Sequence, residues 1–215
     1  MIRALLLLAV LVLLGWFGLR QLPPEWDPRA PLDLTAPPNP VTGLKLRWLR
    51  MSPQACFAAF EASRIAVTRM PDRPSEVGCE LENTVRLPTT LRMTPSVPVV
   101  TCRMAAGWVL YERNTLQPAG VTGATHLGAY ACRNVNHAQQ GRLSQHATAN
   151  ALDIAAFRMA DGRELRVARH WESDALLHQF RDGACRWFGA VLGPEYNAAH
   201  ADHFHLDMGR ARICR

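Results

Sequence analysis

Residues 151–167 read ALDIAAFRMADGRELRV, and this stretch decides the fold class. Ala151 to Phe157 and Arg163 to Val167 flank Ala160-Asp161-Gly162, a strong turn signal, so a β-hairpin is predicted here. Working outward, His203 to Asp207 (HFHLD) alternates and fits a last strand, and Thr125 to Cys132 fits another short one. The helices are marked by their caps. Ser52-Pro53 reads as an N-cap followed by a first-turn proline, opening a helix that ends near Arg69 and buries Cys56, Phe57 and Phe60. Thr101 caps a second, with Met104, Ala105, Trp108 and Leu110-Tyr111 inside and Pro118 as its limit. Ser173-Asp174 opens a third that runs to about Leu192, where Gly193-Pro194 stops it; its inward set is Leu176, Leu177, Phe180, Cys185, Phe188 and Val191. Helices and strands without a regular βαβ rhythm indicate an α+β class, with a small, mainly antiparallel sheet flanked by helices.

The rest of the chain supplies a setting. Ala4 to Leu19 (ALLLLAVLVLLGWFGL) is uncharged and lies between Arg3 and Arg20. As a helix it spans about 24 Å, a little short of a hydrocarbon core of about 30 Å. No clean A-x-A site follows it, so an uncleaved N-terminal membrane anchor is the preferred reading, with a cleaved signal peptide as the alternative. Seven prolines between positions 21 and 42 block helix and central strand and favour an extended spacer. The expected organisation is an anchor or signal segment at 1–20, a Pro-rich stalk at 21–42 and one domain at 43–215. The bulk of the chain is then periplasmic and tethered to the inner membrane.

The formal net charge is +6, and of the 24 basic residues only Lys45 is a lysine. The arginines are scattered along the sequence, no nucleic-acid motif appears and export argues against nucleic acid as a partner. The arginine bias has no functional reading at this level. The six cysteines are Cys56, Cys79, Cys102, Cys132, Cys185 and Cys214; none forms a C-x-x-C pair, which argues against a structural zinc site. An even count in an exported chain favours disulfides. Sequence alone leaves the connectivity open, and sequential pairing (56–79, 102–132, 185–214) is the working expectation.

Two clusters carry chemistry. Ser144-Gln-His146 is followed by Asp153, and His200-x-x-His203-x-His205 is flanked by Asp202 and Asp207; together they hold half of the eight histidines. An imidazole and a carboxylate from one segment plus an imidazole from a remote strand make a three-ligand zinc site whose fourth position stays open to water. His203 and His205 are expected on opposite sides of the strand. One is therefore assigned as a ligand, and the other reaches the reaction centre through a bend or loop.

Ser144-x-His146-x4-Ala151-x-Asp153 resembles the S-x-H-x-x-G-x-A-x-D motif of zinc-dependent peptidoglycan peptidases, namely the D-alanyl-D-alanine carboxypeptidases and dipeptidases and the penicillin-insensitive murein endopeptidases. The resemblance implies His146 and Asp153 as zinc ligands. The terminal H-x-x-H-x-H is similar to that of the murein endopeptidases, which implies His205 as third ligand and His203 at the catalytic centre. Tyr130-x-x-Arg133 ahead of Gly141 and Ser144 resembles the stretch whose Arg contacts the substrate carbonyl or carboxylate. A closer match covers about residues 55–215: the order of the six cysteines, GRLSQHATANALDIAAF and VLGPEYNAAHADHFHLDMGR is similar to the bacterial extensin-like C-terminal domain family. Two departures from the peptidase pattern stand out. Ala149 occupies the usual glycine position, and Ala131-Cys132 separates Tyr130 from Arg133.

The extensin-like resemblance does not itself establish an activity; the peptidase resemblance implies a zinc fold of the peptidoglycan-peptidase type and a zinc metallopeptidase acting on D-amino-acid-containing bonds of peptidoglycan peptide stems. His203 is the first candidate for the base and Asp202 the competitor. Asp207 is expected to orient a ligand, and Arg133 to stabilise an oxyanion or bind a terminal carboxylate. His200 either holds substrate or caps its loop. Ser144 joins the substrate-binding candidates as a hydrogen-bonding residue and not a nucleophile, since no Gly-x-Ser-x-Gly turn surrounds it. The alternative function is a non-catalytic cell-wall-binding or scaffolding module that retains the metal site.

Overall fold

A computed structural model describes residues 2–215. The elements run α1 (Ile2–Arg20), α2 (Pro40–Trp48), α3 (Pro53–Ala62), β1 (Thr84–Arg86), β2 (Arg92–Thr94), β3 (Val99–Thr101), α4 (Cys102–Tyr111), β4 (Val121–Gly128), β5 (Ala151–Met159), β6 (Glu164–Arg166), α5 (Val167–His170), α6 (Ala175–Ala184), β7 (Ala190–Leu192), β8 (Phe204–Asp207) and β9 (Ile213–Cys214). The α+β class stands, and so does the hairpin, as β5 and β6.

The sheet is mixed. Its strand order is β2-β4-β5-β8-β7-β9, with β6 also on β5. The central pairs β4–β5, β5–β8 and β7–β8 are antiparallel, but β2 joins β4 in parallel and β9 joins β7 in parallel. The expectation of a mainly antiparallel sheet is corrected at both ends: each outer strand arrives by a connection that cannot be a hairpin. Strand β5 pairs with β8 over Ala151–Ile154 and with β6 over Ala156–Arg158, so its first half lies in the centre of the sheet.

The caps explain the helices. Ser52, Thr101 and Asp174 accept from the amides of Ala55, Met104 and Leu176, each satisfying one of the unpaired N–H groups of a first turn. Helix α4 is buried on every side and forms the centre of the core. Its Gly107 lets Phe188 and Met208 approach: a Cβ there would lie 3.1 Å from the Met208 sulfur. Below α4 a π-helical turn, Glu112–Leu116, carries a buried carboxylate. Glu112 accepts from the hydroxyl of Thr89, the amide and hydroxyl of Thr90 and the indole of Trp108.

Three sequence-based boundaries are corrected. Helix α3 ends at Ala62, because Ser63 turns its hydroxyl back to the Ala59 carbonyl and Arg64 adopts φ 55°. Strand β4 starts at Val121 and stops at Gly128, leaving 129–132 as irregular chain. Helix α6 ends at Ala184 and Val191 lies on β7, since Gly189 brings its amide to the Asp207 carbonyl and turns the chain into the sheet.

The disulfides are Cys56–Cys102, Cys79–Cys132 and Cys185–Cys214. Only the last matches sequential pairing. Cys56 bridges α3 to the first residue of α4, and Cys79 reaches across to the irregular segment after β4; both links follow packing and not chain order.

The Pro-rich segment has no regular structure up to its last residues, where Asn39 caps α2 with a reciprocal bond to Thr42. It lies against the folded unit: Leu32 and Leu34 are buried in the core, and the Leu34 amide donates to Ser63. Lys45, buried on α2, donates its ammonium to the Pro24 carbonyl at 2.7 Å. Helix α1 leaves Leu5, Leu7, Leu13 and Phe17 exposed. Among the described residues no helix is long and apolar enough to cross a membrane. Met1 of the expected anchor lies outside the described residues.

Candidate metal centre

Asp153 and His205 are direct cross-strand partners in the antiparallel register of β5 and β8. Residues opposite one another on adjacent strands bring their side chains to the same face. His146 comes from outside the sheet. It sits in a short 3-10 turn, Gln145–Thr148, that Ser144 caps by accepting the His146 amide. The turn delivers the chain into β5 through Ala149 in the left-handed region (φ 53°), followed by the fully buried Asn150. That conformation is natural to glycine, which accounts for the glycine in the related motif.

The three side chains converge. His146 Nε2 is 3.1 Å from Asp153 Oδ1, His205 Nδ1 is 2.9 Å from the same oxygen, and the two nitrogens are 3.0 Å apart. One ligand atom from each residue lies within 4.8 Å of the others, forming a group that can hold a metal ion. The other nitrogen of each ring is engaged by a pure acceptor. His146 Nδ1 donates to the Ala129 carbonyl at 3.1 Å, and His205 Nε2 donates to Asp207 Oδ2 at 3.1 Å. In the neutral rings these bonds fix the tautomers so that both inner nitrogens present lone pairs. Asp207 is itself held by the Gly209 amide at 2.7 Å.

The electrostatics follow from the packing. Burial alone would raise the Asp153 pKa, but the bonds from His146 and His205 outweigh it and hold this carboxyl well below the usual range. Burial alone would lower His205, yet Asp153 and Asp207 on its two sides push it up to about 9. An acidic partner on one imidazole and a depressed carboxylate suit a cation at the point where they meet.

His203 lies in the bend just ahead of β8, with Nε2 3.7 Å from Asp153 Oδ1. The expectation that His203 and His205 point to opposite sides is corrected: positions two apart share a face, and both imidazoles approach the same carboxylate. Asp202 bonds His203 Nδ1 at 2.7 Å and is otherwise largely exposed, so it stands behind His203 and not over the centre. The His200 ring is 5.3 Å from His203 and 5.8 Å from His205. Burial, then the charges of His205 and His203, depress its pKa to about 4, and Arg133 adds to the effect. Arg133 thus lies within electrostatic reach of this group. It is half-buried, and its backbone carbonyl accepts the Ser144 amide. The Ala131 amide donates to the His146 carbonyl, tying the segment after β4 to the turn that carries His146.

Sequence reasoning missed Ala129 and Asn150. Ala129 acts through a backbone carbonyl, for which a side-chain pattern carries no signal. Asn150 Oδ1 accepts from Thr101 and Arg103, its amide group donates to Gln145, and its carbonyl accepts the Met208 amide, so it locks α4, the 3-10 turn and the end of β8 together.

No curated protein and no solved structure matches this chain. Residues 54–215 match the family model described as Extensin-like protein C-terminus. The matched stretch contains all three disulfides, the His146–Asp153–His205 group and every residue that orients it, and the chain belongs to the extensin-like protein C-terminus family.

Proposed function

We propose that the protein is a zinc-dependent peptidase that hydrolyses D-amino-acid-containing peptide bonds of peptidoglycan. The observation that carries the reading is the meeting of His146 Nε2, His205 Nδ1 and Asp153 Oδ1, each imidazole oriented from behind. Two imidazoles and a carboxylate are the protein donor set of a catalytic zinc site, whose fourth position water fills, and the soft all-sulfur alternatives are excluded, since every cysteine is in a disulfide. When bound, zinc supplies a water of lowered pKa and polarises the scissile carbonyl.

The chain supplies the rest. Asp202 accepts a hydrogen bond from His203 Nδ1, which leaves Nε2 as a base facing the centre, able to accept a proton and return it to the leaving amine. In this reading His200 and Arg133, which act on one another electrostatically, serve the substrate, Arg133 as the bidentate partner for a carbonyl or carboxylate. The similarity of Ser144-x-His146-x4-Ala151-x-Asp153 to the peptidoglycan-peptidase motif gives the substrate class. Three disulfides support an oxidising compartment, and the exposed apolar α1 supports a place at the membrane surface.

The test is metal analysis of the purified protein together with mass spectrometry of muropeptides after incubation, with His146→Ala as control. One zinc per chain and new amine ends, both lost in His146→Ala, are expected. A protein without zinc that digests muropeptides no differently from its variant sinks the proposal. Zinc retention with sacculus binding but no new amine ends assigns the domain to non-catalytic wall binding.

A further inference from the structure

The arginines that are scattered in the sequence come together in space. A cleft of about 520 Å³ is lined by Arg47, Arg50, Arg103, Arg186, Arg210 and Arg212, it contains none of His146, Asp153 and His205, and none of its lining residues is acidic. They arrive from α2 and the turn after it, the first turn of α4, the chain after α6 and the segment between β8 and β9. The Cys185–Cys214 bridge closes one rim. A neighbouring cleft of about 510 Å³ shares Arg50, Arg103 and Arg210, adds Arg142 and contains two carboxylates, Glu82 and Asp207, the second already bonded by His205 and the Gly209 amide.

Among the described residues the arginines in ion pairs are Arg29, Arg163, Arg166 and Arg181, all elsewhere. Of the six in the cleft, only Arg103 has a side-chain hydrogen bond, to Asn150 Oδ1 at 3.1 Å. Burial, with the charge of Arg50 added, lowers the Arg103 pKa to about 10. Asp207 opposes this only as the smallest of the three causes. Six guanidiniums without an ion pair on a concave surface are the arrangement of a site for an anion, and guanidinium forks favour bidentate oxyanions. A single carboxylate would meet one fork, whereas phosphate groups bring several charges and oxygens each.

We propose that this arginine cleft binds a phosphate-bearing ligand. The inference is independent of the metal centre's reaction. A lipid headgroup and a soluble phosphate share the required chemistry. The lipid source has a geometric argument: Lys45, two residues before Arg47, touches Pro24, only four residues past the end of the apolar α1.

The experiment is calorimetric titration of the full chain in neutral detergent with pyrophosphate, with short-chain phosphatidylglycerol and with acetate, at fixed ionic strength. Saturable one-to-one binding of pyrophosphate or of the phosphatidylglycerol is expected, at least about tenfold weaker in Arg50→Ala/Arg210→Ala. It should be unchanged in Arg86→Ala/Arg169→Ala, which removes the same charge outside the cleft. Binding of phosphatidylglycerol alone identifies a headgroup, and binding of pyrophosphate alone a soluble ligand. Absence of saturable binding of either, equal losses in the two double variants, or acetate binding as tightly as pyrophosphate overturns the proposal. The wild-type titration decides even if a variant fails to fold.

Discussion

His146 and His205 meet nitrogen to nitrogen: Nε2 of one lies 3.0 Å from Nδ1 of the other, while their remaining nitrogens donate to Ala129 and Asp207. Two lone pairs at that distance need a proton or a cation between them. In the metal-free protein the proton rests on His205, held by Asp153 and Asp207.

Metal uptake therefore releases a proton. The His205 pKa is raised from 6.5 to about 9, so its contribution to metal-free stability is fully present below pH 6.5 and is lost as pH rises through 9. Metal affinity runs the other way, rising between pH 7 and 9 by up to about tenfold per unit and levelling above. Titration at pH 7 in buffers of different ionisation enthalpy should give a proton release approaching one per metal.

Asp207→Asn keeps the shape but weakens the grip on the His205 ring. Metal affinity should fall about 10- to 100-fold, with the thermal midpoint of the metal-free protein altered far less than by loss of a core side chain. Competition with a chromogenic chelator measures the affinity.

Ala149 is buried with φ 53°. Glycine there relieves about 1–2 kcal/mol of left-handed strain but gives up a buried methyl worth about 0.8 kcal/mol and adds backbone entropy, so Ala149→Gly should lie within about 1 kcal/mol of wild type. Ala149→Val adds a β-branched side chain to the same conformation and should cost more than about 2 kcal/mol. Denaturant unfolding of the two variants compares them.

Glu112→Ala leaves the Thr89 and Thr90 hydroxyls, the Thr90 amide and the Trp108 indole without their acceptor. The loss should reach at least about 3 kcal/mol. Metal content should stay intact in the folded fraction, because this network lies under α4 and touches none of the three ligands.

Removing the Cys185–Cys214 bridge, which spans 29 residues, should cost about 3 kcal/mol by the loss of chain restriction in the unfolded state. The Cys185→Ser/Cys214→Ser variant should also show faster amide exchange in β9, which that bridge pins beside β7.

What was legible in the sequence was local. Ser52, Thr101 and Asp174 announce their helices, and Ala160-Asp161-Gly162 its hairpin, because caps and turns act within a few residues. The grouping of His146, Asp153 and His205 was legible through side-chain chemistry and motif similarity. What could not be read depends on packing across the chain. Apolar residues from Leu176 to Val191 continue a helical period, yet Gly189 hands the last of them to a strand. Cys56 finds Cys102 because α3 packs on α4. Arg47 and Arg212 look unrelated until the sheet brings α2 and the β8–β9 segment together, and the orienting carbonyl of Ala129 has no side-chain signature at all.

Strand β8 lies between β5 and β7 although it is nearly the last strand to be made. During synthesis the chain therefore carries His146 and Asp153 for some 50 residues before their partner exists. A shortened or stalled product has no centre, only an open seam in the middle of its sheet. Assembly of the site is in this sense a completion check: the three side chains that could hold a metal ion meet only in a polypeptide whose final strands have been inserted.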